Sequence, residues 1–427
     1  MTLSPWSLLL LALPLLLLGQ YVLRGVPALA RFSIPVPVVG GLSFALACLL
    51  LRAAGADFSF ATKVDAGWWT WLVTPDHEWL ARPAKNLNLP LLVGFFTCVG
   101  LAAPLRLLAS GGRMLLVLLA GTTVLALVQN AAGVALATAL GAPALLGVLC
   151  GSLTLVGGHG TALGFSSRFE QAGMAAAATI GASAATFGLV AGAILSGPLG
   201  AWLLRRSGAL PGRATPSSAM APSAPAAPVV ADFLADARAL AAQGRGALGH
   251  LLLVAGCVKG GAWISFGLDR IGASLPAYMG ALLLGFALRA LHDAAGWTWL
   301  RGETIHRISA VLLPLFLVVT LAPLNLAELT DVAGPMLVIL SVNTALTLAF
   351  AAFVIWPLLG RDHEAAIATA GLAGYGIGST ATAVAAMDAL TRQYGKAPRA
   401  TTLVPPTGGF LIDLTNAPVI GAFLRWL

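Results

Sequence analysis

Apolar residues in this chain fall in long runs separated by short polar punctuation, rather than on one stripe of a surface helix. Six runs occupy about 5–23, 35–52, 89–109, 113–140, 143–164 and 174–204, and six more about 247–267, 276–291, 307–327, 333–359, 364–388 and 401–426. A bilayer core is crossed by about 20 residues of helix, so these runs predict transmembrane spans. The fifth run of each set is crowded with Gly, Ser and Thr, which favour broken or closely packed backbone over a clean crossing. Those two, about 143–164 and 364–388, are expected to be re-entrant hairpins. In the first run, Arg24 and Arg31 follow the apolar stretch rather than precede it, which predicts a retained span with an outside N-terminus.

Between the two sets the composition turns to Pro, Ala, Ser and Arg, as in PGRATPSSAMAPSAPAAP, a segment unable to bury an apolar face. This divides the chain into 1–204, a cytoplasmic linker 205–245, and 246–427. The halves echo each other in order. Ile34-Pro35 with Gly40 and Gly41 matches Leu275-Pro276 with Gly280, and the Gly/Thr-rich Gly151–Ala162 matches Ala370–Ala381. Later, Gly197-Pro198 matches Ala417-Pro418. The second half therefore reads as a diverged copy of the first. Five full spans per half is an odd number, so the copies are expected in opposite orientations. With both termini outside, sixteen of the 24 Lys and Arg residues fall on the cytoplasmic face, seven on the opposite face, and Lys259 within a span. That is the positive-inside bias.

The composition agrees: 58% of residues are hydrophobic and 9% charged, against about 25% charged in a soluble domain. A net charge of +8 would raise nucleic acid as a partner in a soluble protein, but here the basic residues sit in short loops beside lipid and form no stripe interleaved with aromatics. The four cysteines lie singly in apolar stretches and read as packing residues, with no disulfide, metal or cofactor implied. No HExxH, nucleophile–base pair or phosphate loop with Lys points to an enzyme.

The chemistry concentrates in few places. The first hairpin, GSLTLVGGHGTALGFSS, lets backbone approach a ligand, and a helix starting near Gly160 would aim free N–H groups at an anion. Its partner is GLAGYGIGSTATAVAAMD. Interrupted segments at corresponding positions of two inverted halves point to a midplane binding site, although glycines in such runs also serve close helix packing. His159 is a residue of the type that titrates near neutrality, or a satisfied neutral imidazole. Asp413, in GGFLIDLTNAPVI, is a carboxylate in an apolar span with no Lys or Arg at similar depth in its own span. A sodium ion would supply the missing charge, with Thr415 and Asn416 as further oxygen donors; a structurally inert, hydrogen-bonded carboxylate is the alternative. Gln129 and Asn130 form a polar pair inside the fourth span, suited to interhelical hydrogen bonding or to lining a path. Lys259 reads as snorkelling or paired rather than as a substrate clamp.

Taken together, VQNAAGV, GSLTLVGGHGTA, ATFGLVAGAILSGP, GYGIGSTATAVAAMDALTRQYG and FLIDLTNAPVI resemble the glutamate:sodium symporter family, in order along most of the chain. The resemblance implies an all-α polytopic homodimer in the bacterial inner membrane, built of two inverted five-span repeats, each with a re-entrant hairpin. It implies import of L-glutamate or a close analogue on the sodium gradient, and no enzyme activity. Carried over with it are Gly157, Gly158, His159, Gly160 and Thr161 at the first hairpin and Gly376, Gly378, Ser379, Thr380 and Thr382 at the second. Asp413 and Asn416 come from the last span. A Trp-rich stretch, Asp57–Leu87, departs from the pattern and is expected as an outside loop suited to interfacial docking. A carrier of another organic anion, proton coupling through His159 or Asp413, a channel and a membrane enzyme remain the competing expectations.

Overall fold

The computed structural model describes residues 2–26, 34–55, 59–81, 84–103, 111–208, 229–270, 275–276, 278–330 and 332–427. The principal helices are α1 (Pro5–Gly25), α2 (Val36–Ala53), α3 (Leu89–Leu101), α4 (Gly112–Ala139), α5 (Ala144–Leu149), α6 (Ser152–Leu155), α7 (Gly158–Gln171) and α8 (Ala177–Arg206). They continue with α9 (Val229–Gln243), α10 (Arg245–Arg270), α11 (Tyr278–Ala294), α12 (Gly302–Leu321), α13 (Ala333–Leu359), α14 (His363–Ile377), α15 (Thr380–Tyr394) and α16 (Pro398–Trp426). Among the described residues, eight of these helices are long and apolar enough to cross a bilayer: α1, α2, α4, α8, α10, α12, α13 and α16. The protein is an all-α polytopic membrane protein. The two other expected spans are shorter helices here, α3 with 13 residues and α11 with 17. Of the linker expected over 205–245, residues 209–228 lie outside the described residues; α8 runs through Arg206, and Val229–Gln243 is helical.

The chain forms two compact units, each drawn from both halves of the sequence. The first comprises residues 1–26, 35–105 and 226–327. Within it α3 packs on α11, α11 on α10, α1 on α2, and α12 against α2 and α3. Lipid offers no hydrophobic drive between apolar helices, so close contact rests on small residues. A Cβ on Gly100 of α3 would lie 2.4 Å from the carbonyl oxygen of Leu282 in α11, so only glycine admits this crossing. Phe96 stacks on Tyr278 beside it, ring centroids 3.9 Å apart.

The Trp-rich stretch belongs to this unit and is folded onto α10 by one cation. Lys259 Nζ donates to the carbonyls of Trp71 (3.0 Å) and Thr74 (2.7 Å) and to Asp76 Oδ1 (2.7 Å). It also sits 4.0 Å from the centroid of the Trp71 ring, a cation–π contact. Trp69 donates to Leu87 O, and Trp79 to Thr70 Oγ1. Trp68 and Trp71 remain exposed. Lys259 is thus paired, as expected of a cation inside an apolar run. The hydrogen bond from Lys259, with a second from Trp71, holds the Asp76 carboxyl below the usual carboxylate range. Because that value is depressed, the ion pair persists above the ordinary carboxylate range and is lost only as pH falls through the lowered value.

The second unit comprises 27–34, 106–225 and 328–427. Its centre is α14, buried on all sides from Ala365 to Ile377, with α8, α15 and the first part of α16 around it. A helix apolar all round is a core helix rather than a surface one. Both α13 and α16 contain a π-helical turn, Ala351–Ile355 and Thr407–Leu411. The second follows Pro405 and Pro406, whose missing N–H groups and ring bulk disturb regular helix.

Replacing Lys259 by Ala removes three hydrogen bonds and the cation–π contact at once. Limited chymotrypsin digestion of the detergent-solubilised protein is expected to cut within 59–81 several-fold faster than in wild type, with the rest of the digestion pattern unchanged. Equal cutting rates would show that Lys259 does not hold the loop.

Candidate functional site

Unwinding a helix leaves N–H and C=O groups that lipid cannot satisfy. In the second unit the sequence does this twice. The first break follows α5: Gly151 leaves helical geometry (φ −101°, ψ −139°), α6 covers only Ser152–Leu155, and Gly158, at φ +64°, opens α7. Three buried asparagines from three different spans bond to the backbone of this break. Asn130 Oδ1 of α4 accepts the Ser152 N–H at 2.8 Å. Asn343 Nδ2 of α13 donates to Cys150 O at 3.0 Å, and Asn416 Nδ2 of α16 donates to Ser152 O at 3.1 Å. A Cβ on Gly151 would stand 2.4 Å from Asn130 Oδ1, so the asparagine requires the glycine.

The second break separates α14 from α15 at Gly378. Here Ser379 caps α15. Its hydroxyl accepts from the Thr382 N–H, and the Thr382 hydroxyl accepts from the Ser379 N–H, a capping box. The Thr382 hydroxyl also lies 2.7 Å from Gly374 O. On the α14 side Gln129 Nε2 donates to Gly376 O at 3.0 Å and to Thr347 Oγ1 at 2.8 Å. The Thr122 hydroxyl spends its hydrogen on Leu118 O, so the Tyr375 hydroxyl, 2.8 Å away, donates to it.

The two breaks lie against each other. A Cβ on Gly158 would be 3.6 Å from Gly378 O, and a Cβ on Gly188 of α8 would be 2.3 Å from Ile377 O. The N-termini of α7 and α15, where free N–H groups and the positive dipole end favour an anion, are thereby brought together with the C-terminus of α14, which favours a cation.

Each residue singled out from the sequence has a definite place. His159 is buried and faces Thr186 Oγ1 at 3.0 Å; that hydroxyl already donates to Ala182 O, so His159 carries its hydrogen on Nε2 and donates. Thr161 Oγ1 donates to Asp413 Oδ1 at 3.1 Å. Asp413 and Asn416, three apart on one face of α16, both meet the first interrupted segment, whereas Thr415 accepts from Thr123 of α4. Gly157 packs on the Thr161 side chain, Gly160 is half-buried, and Thr380 is half-buried beside Gly409. Among the described residues no Lys or Arg pairs with Asp413, and no group of three His, Cys, Asp or Glu is gathered as a metal site. Sequence reasoning passed over Ser152, Asn343 and Thr347. Asn343, in SVNTALT, carried the same signal as Gln129-Asn130, an amide inside an apolar span.

Comparison with known proteins identifies the family. A family model described as sodium/glutamate symporter matches residues 1–68 and 70–396. The sodium/glutamate symporter of Escherichia coli (strain K12) is 33% identical over 410 residues, 96% of this chain and 94% of the relative. That of Haemophilus influenzae is 31% identical over 423 residues, 98% of this chain and 96% of the relative. The protein of the same name from Shigella flexneri is 33% identical over 410 residues. No solved structure matches the chain. An all-α membrane protein whose two interrupted helices meet in one compact unit, and whose relatives match it almost end to end, belongs to the sodium/glutamate symporter family.

Proposed function

We propose that this protein imports L-glutamate, or a close analogue, across the bacterial inner membrane by coupling it to the sodium gradient. The observation that carries the reading is the approach of Gly158 to Gly378, which brings two helix N-termini together, with the only buried carboxylate among the described residues, Asp413, hydrogen-bonded to Thr161 in the first turn of α7. The substrate carboxylates are held by the N–H groups at the starts of α7 and α15, with Gly157, Gly158, His159, Gly160 and Thr161 on one side and Gly376, Gly378, Ser379, Thr380 and Thr382 on the other. Ser379 and Thr382 act there mainly by fixing the α15 N-terminus, since their hydroxyls are engaged in the cap. Gln129 and Asn130 line the path by holding both breaks open.

Asp413 takes a sodium ion. It has one hydroxyl donor, Thr161, and no basic partner among the described residues, so an ion must balance its charge when it is ionised. Asn416 adds a donor from the same face; Thr415, turned to α4, supports the helix rather than the ion. Cation binding favours the arrangement competent for substrate, and this is the coupling. We further propose two inverted five-span repeats divided by the linker 205–245, with re-entrant hairpins at about 143–164 and 364–388, both termini periplasmic, and a homodimer. The family is one of transporters, and no enzyme activity is proposed. The same isolated carboxylate supports the second reading, in which a proton takes the place of sodium.

Proteoliposomes loaded with potassium and diluted into sodium are expected to accumulate labelled glutamate above equilibrium, and to stop doing so when choline replaces sodium at fixed pH. Uptake that follows pH and ignores sodium would establish the proton reading instead. In Asp413→Asn, with insertion checked by size-exclusion profile, sodium-driven uptake is expected to fall to background; a wild-type sodium midpoint in this variant would remove Asp413 from the cation site. Gly188→Ala pushes a methyl group against Ile377 O and parts the two breaks. It is expected to lower uptake about tenfold or more while the protein remains monodisperse, since small misplacements at a binding site carry such losses.

A further inference from the structure

The asparagines at the first break have chemistry to spare. Cys150 O and Ser152 O can only accept, so Asn343 and Asn416 must each present Nδ2 to them, and the amide orientations are set by their partners. Oδ1 of Asn343 and Oδ1 of Asn416 are therefore turned away from these bonds. Both are completely buried without a hydrogen-bond partner, and so is the hydroxyl of Ser152. Three unpaired oxygens thus belong to side chains anchored on a three-residue stretch of backbone, Cys150–Ser152. The Cys150 carbonyl oxygen, which accepts from Asn343 Nδ2, keeps a second lone pair there, whereas Ser152 O is filled by Asn416 Nδ2 and the N–H groups of Val156 and Gly157. The Asn130 amide has the opposite sense: its oxygen is used, and its Nδ2 is left over.

Native structures pair their buried acceptors, and a group of them left unpaired calls for a ligand that brings positive charge. The donors on offer are amide, hydroxyl and backbone oxygens, with no thiolate or imidazole, the set preferred by hard cations. Nothing in this set is charged, and the nearest balancing charge on the same helix face is Asp413, three residues before Asn416.

We infer that Asn343 Oδ1 and Ser152 Oγ, with Asn416 Oδ1 bridging to the ion at Asp413, bind a sodium ion at the first helix break. This rests on the sodium-coupled reading above and adds a second ion to it. The ion joins α13 and α16 to the unwound backbone, so its binding stiffens the break against which substrate docks. A buried water would satisfy the same oxygens, but it would make the protein indifferent to sodium.

The test is thermal unfolding of the full chain in detergent without glutamate, titrated with sodium chloride against choline chloride at constant ionic strength. Wild type is expected to gain stability with sodium. Ser152→Ala removes a hydroxyl that bonds to nothing in the protein, so its melting temperature in choline is expected to match wild type. Its sodium midpoint is expected to rise about tenfold or more, the scale of loss when a metal site is impaired. Asn343→Ala is expected to shift the midpoint at least as far; its folding is at greater risk, which is why Ser152→Ala decides. A wild-type midpoint in both variants, or a wild-type protein whose melting ignores sodium, overturns the site. Sodium-dependent glutamate uptake measured on the same preparations separates the two claims: if it persists while the melting result fails, only this second site falls, whereas sodium-independent uptake removes the sodium-coupled reading itself.

Discussion

The second compact unit depends on one constraint: backbone that leaves helical geometry inside a membrane must find its hydrogen bonds within the protein. Four amide side chains meet it. Asn130, Asn343 and Asn416 serve the break at Cys150–Ser152, and Gln129 serves Gly376 just before the break at Gly378. An amide suits this task because it carries a donor and an acceptor on one planar group, and can meet either an N–H or a carbonyl. A carboxylate would bring charge, and a hydroxyl reaches less far. The α4 pair Gln129-Asn130 thus sends one residue to each break, which ties the two interrupted segments to a single helix.

Close backbone contact is the second requirement, and it explains the glycine content. Gly151 makes room for Asn130, and Gly188 makes room for Ile377 and Gly378. Gly158 is different, because its φ of +64° lies where side chains are disfavoured. Glycines within the helices carry an obligation too: a Cβ on Gly374 of α14 would stand 2.6 Å from the Ala383 Cα of α15. Around them α14 is buried on every side, so the second break is presented from a rigid core.

Electrostatics then separates roles within a small space. Helix N-termini from α7 and α15 supply positive ends without a buried Lys or Arg, and Asp413 supplies the negative charge. Thr161, three residues after Gly158, links that carboxylate to the start of α7 through a single hydrogen bond. Lys259, the cation found within an apolar run, has no part in this: in the other unit it clasps the tryptophan loop through Trp71, Thr74 and Asp76.

The sequence by itself determined the class of molecule, the positions of its eight bilayer-length helices and the two segments able to break, because run length and glycine clustering are local properties. It also marked Asp413, Asn416, Gln129 and Asn130, since a polar group in an apolar run is costly wherever it ends up. Tertiary structure alone decided their partners. It set Thr415 against α4 although it lies between two residues that face the break, and it put Ser379 and Thr382 into a helix cap although their hydroxyls had the look of ligand donors. It gave Asn343 and Ser152 a place in the site, because that role depends on α13 and α16 crossing the same three residues of unwound backbone, a meeting of segments nearly 200 or more positions apart in the chain. Periodicity and composition describe what each helix can bury; which polar atom meets which carbonyl is settled only when the helices pack.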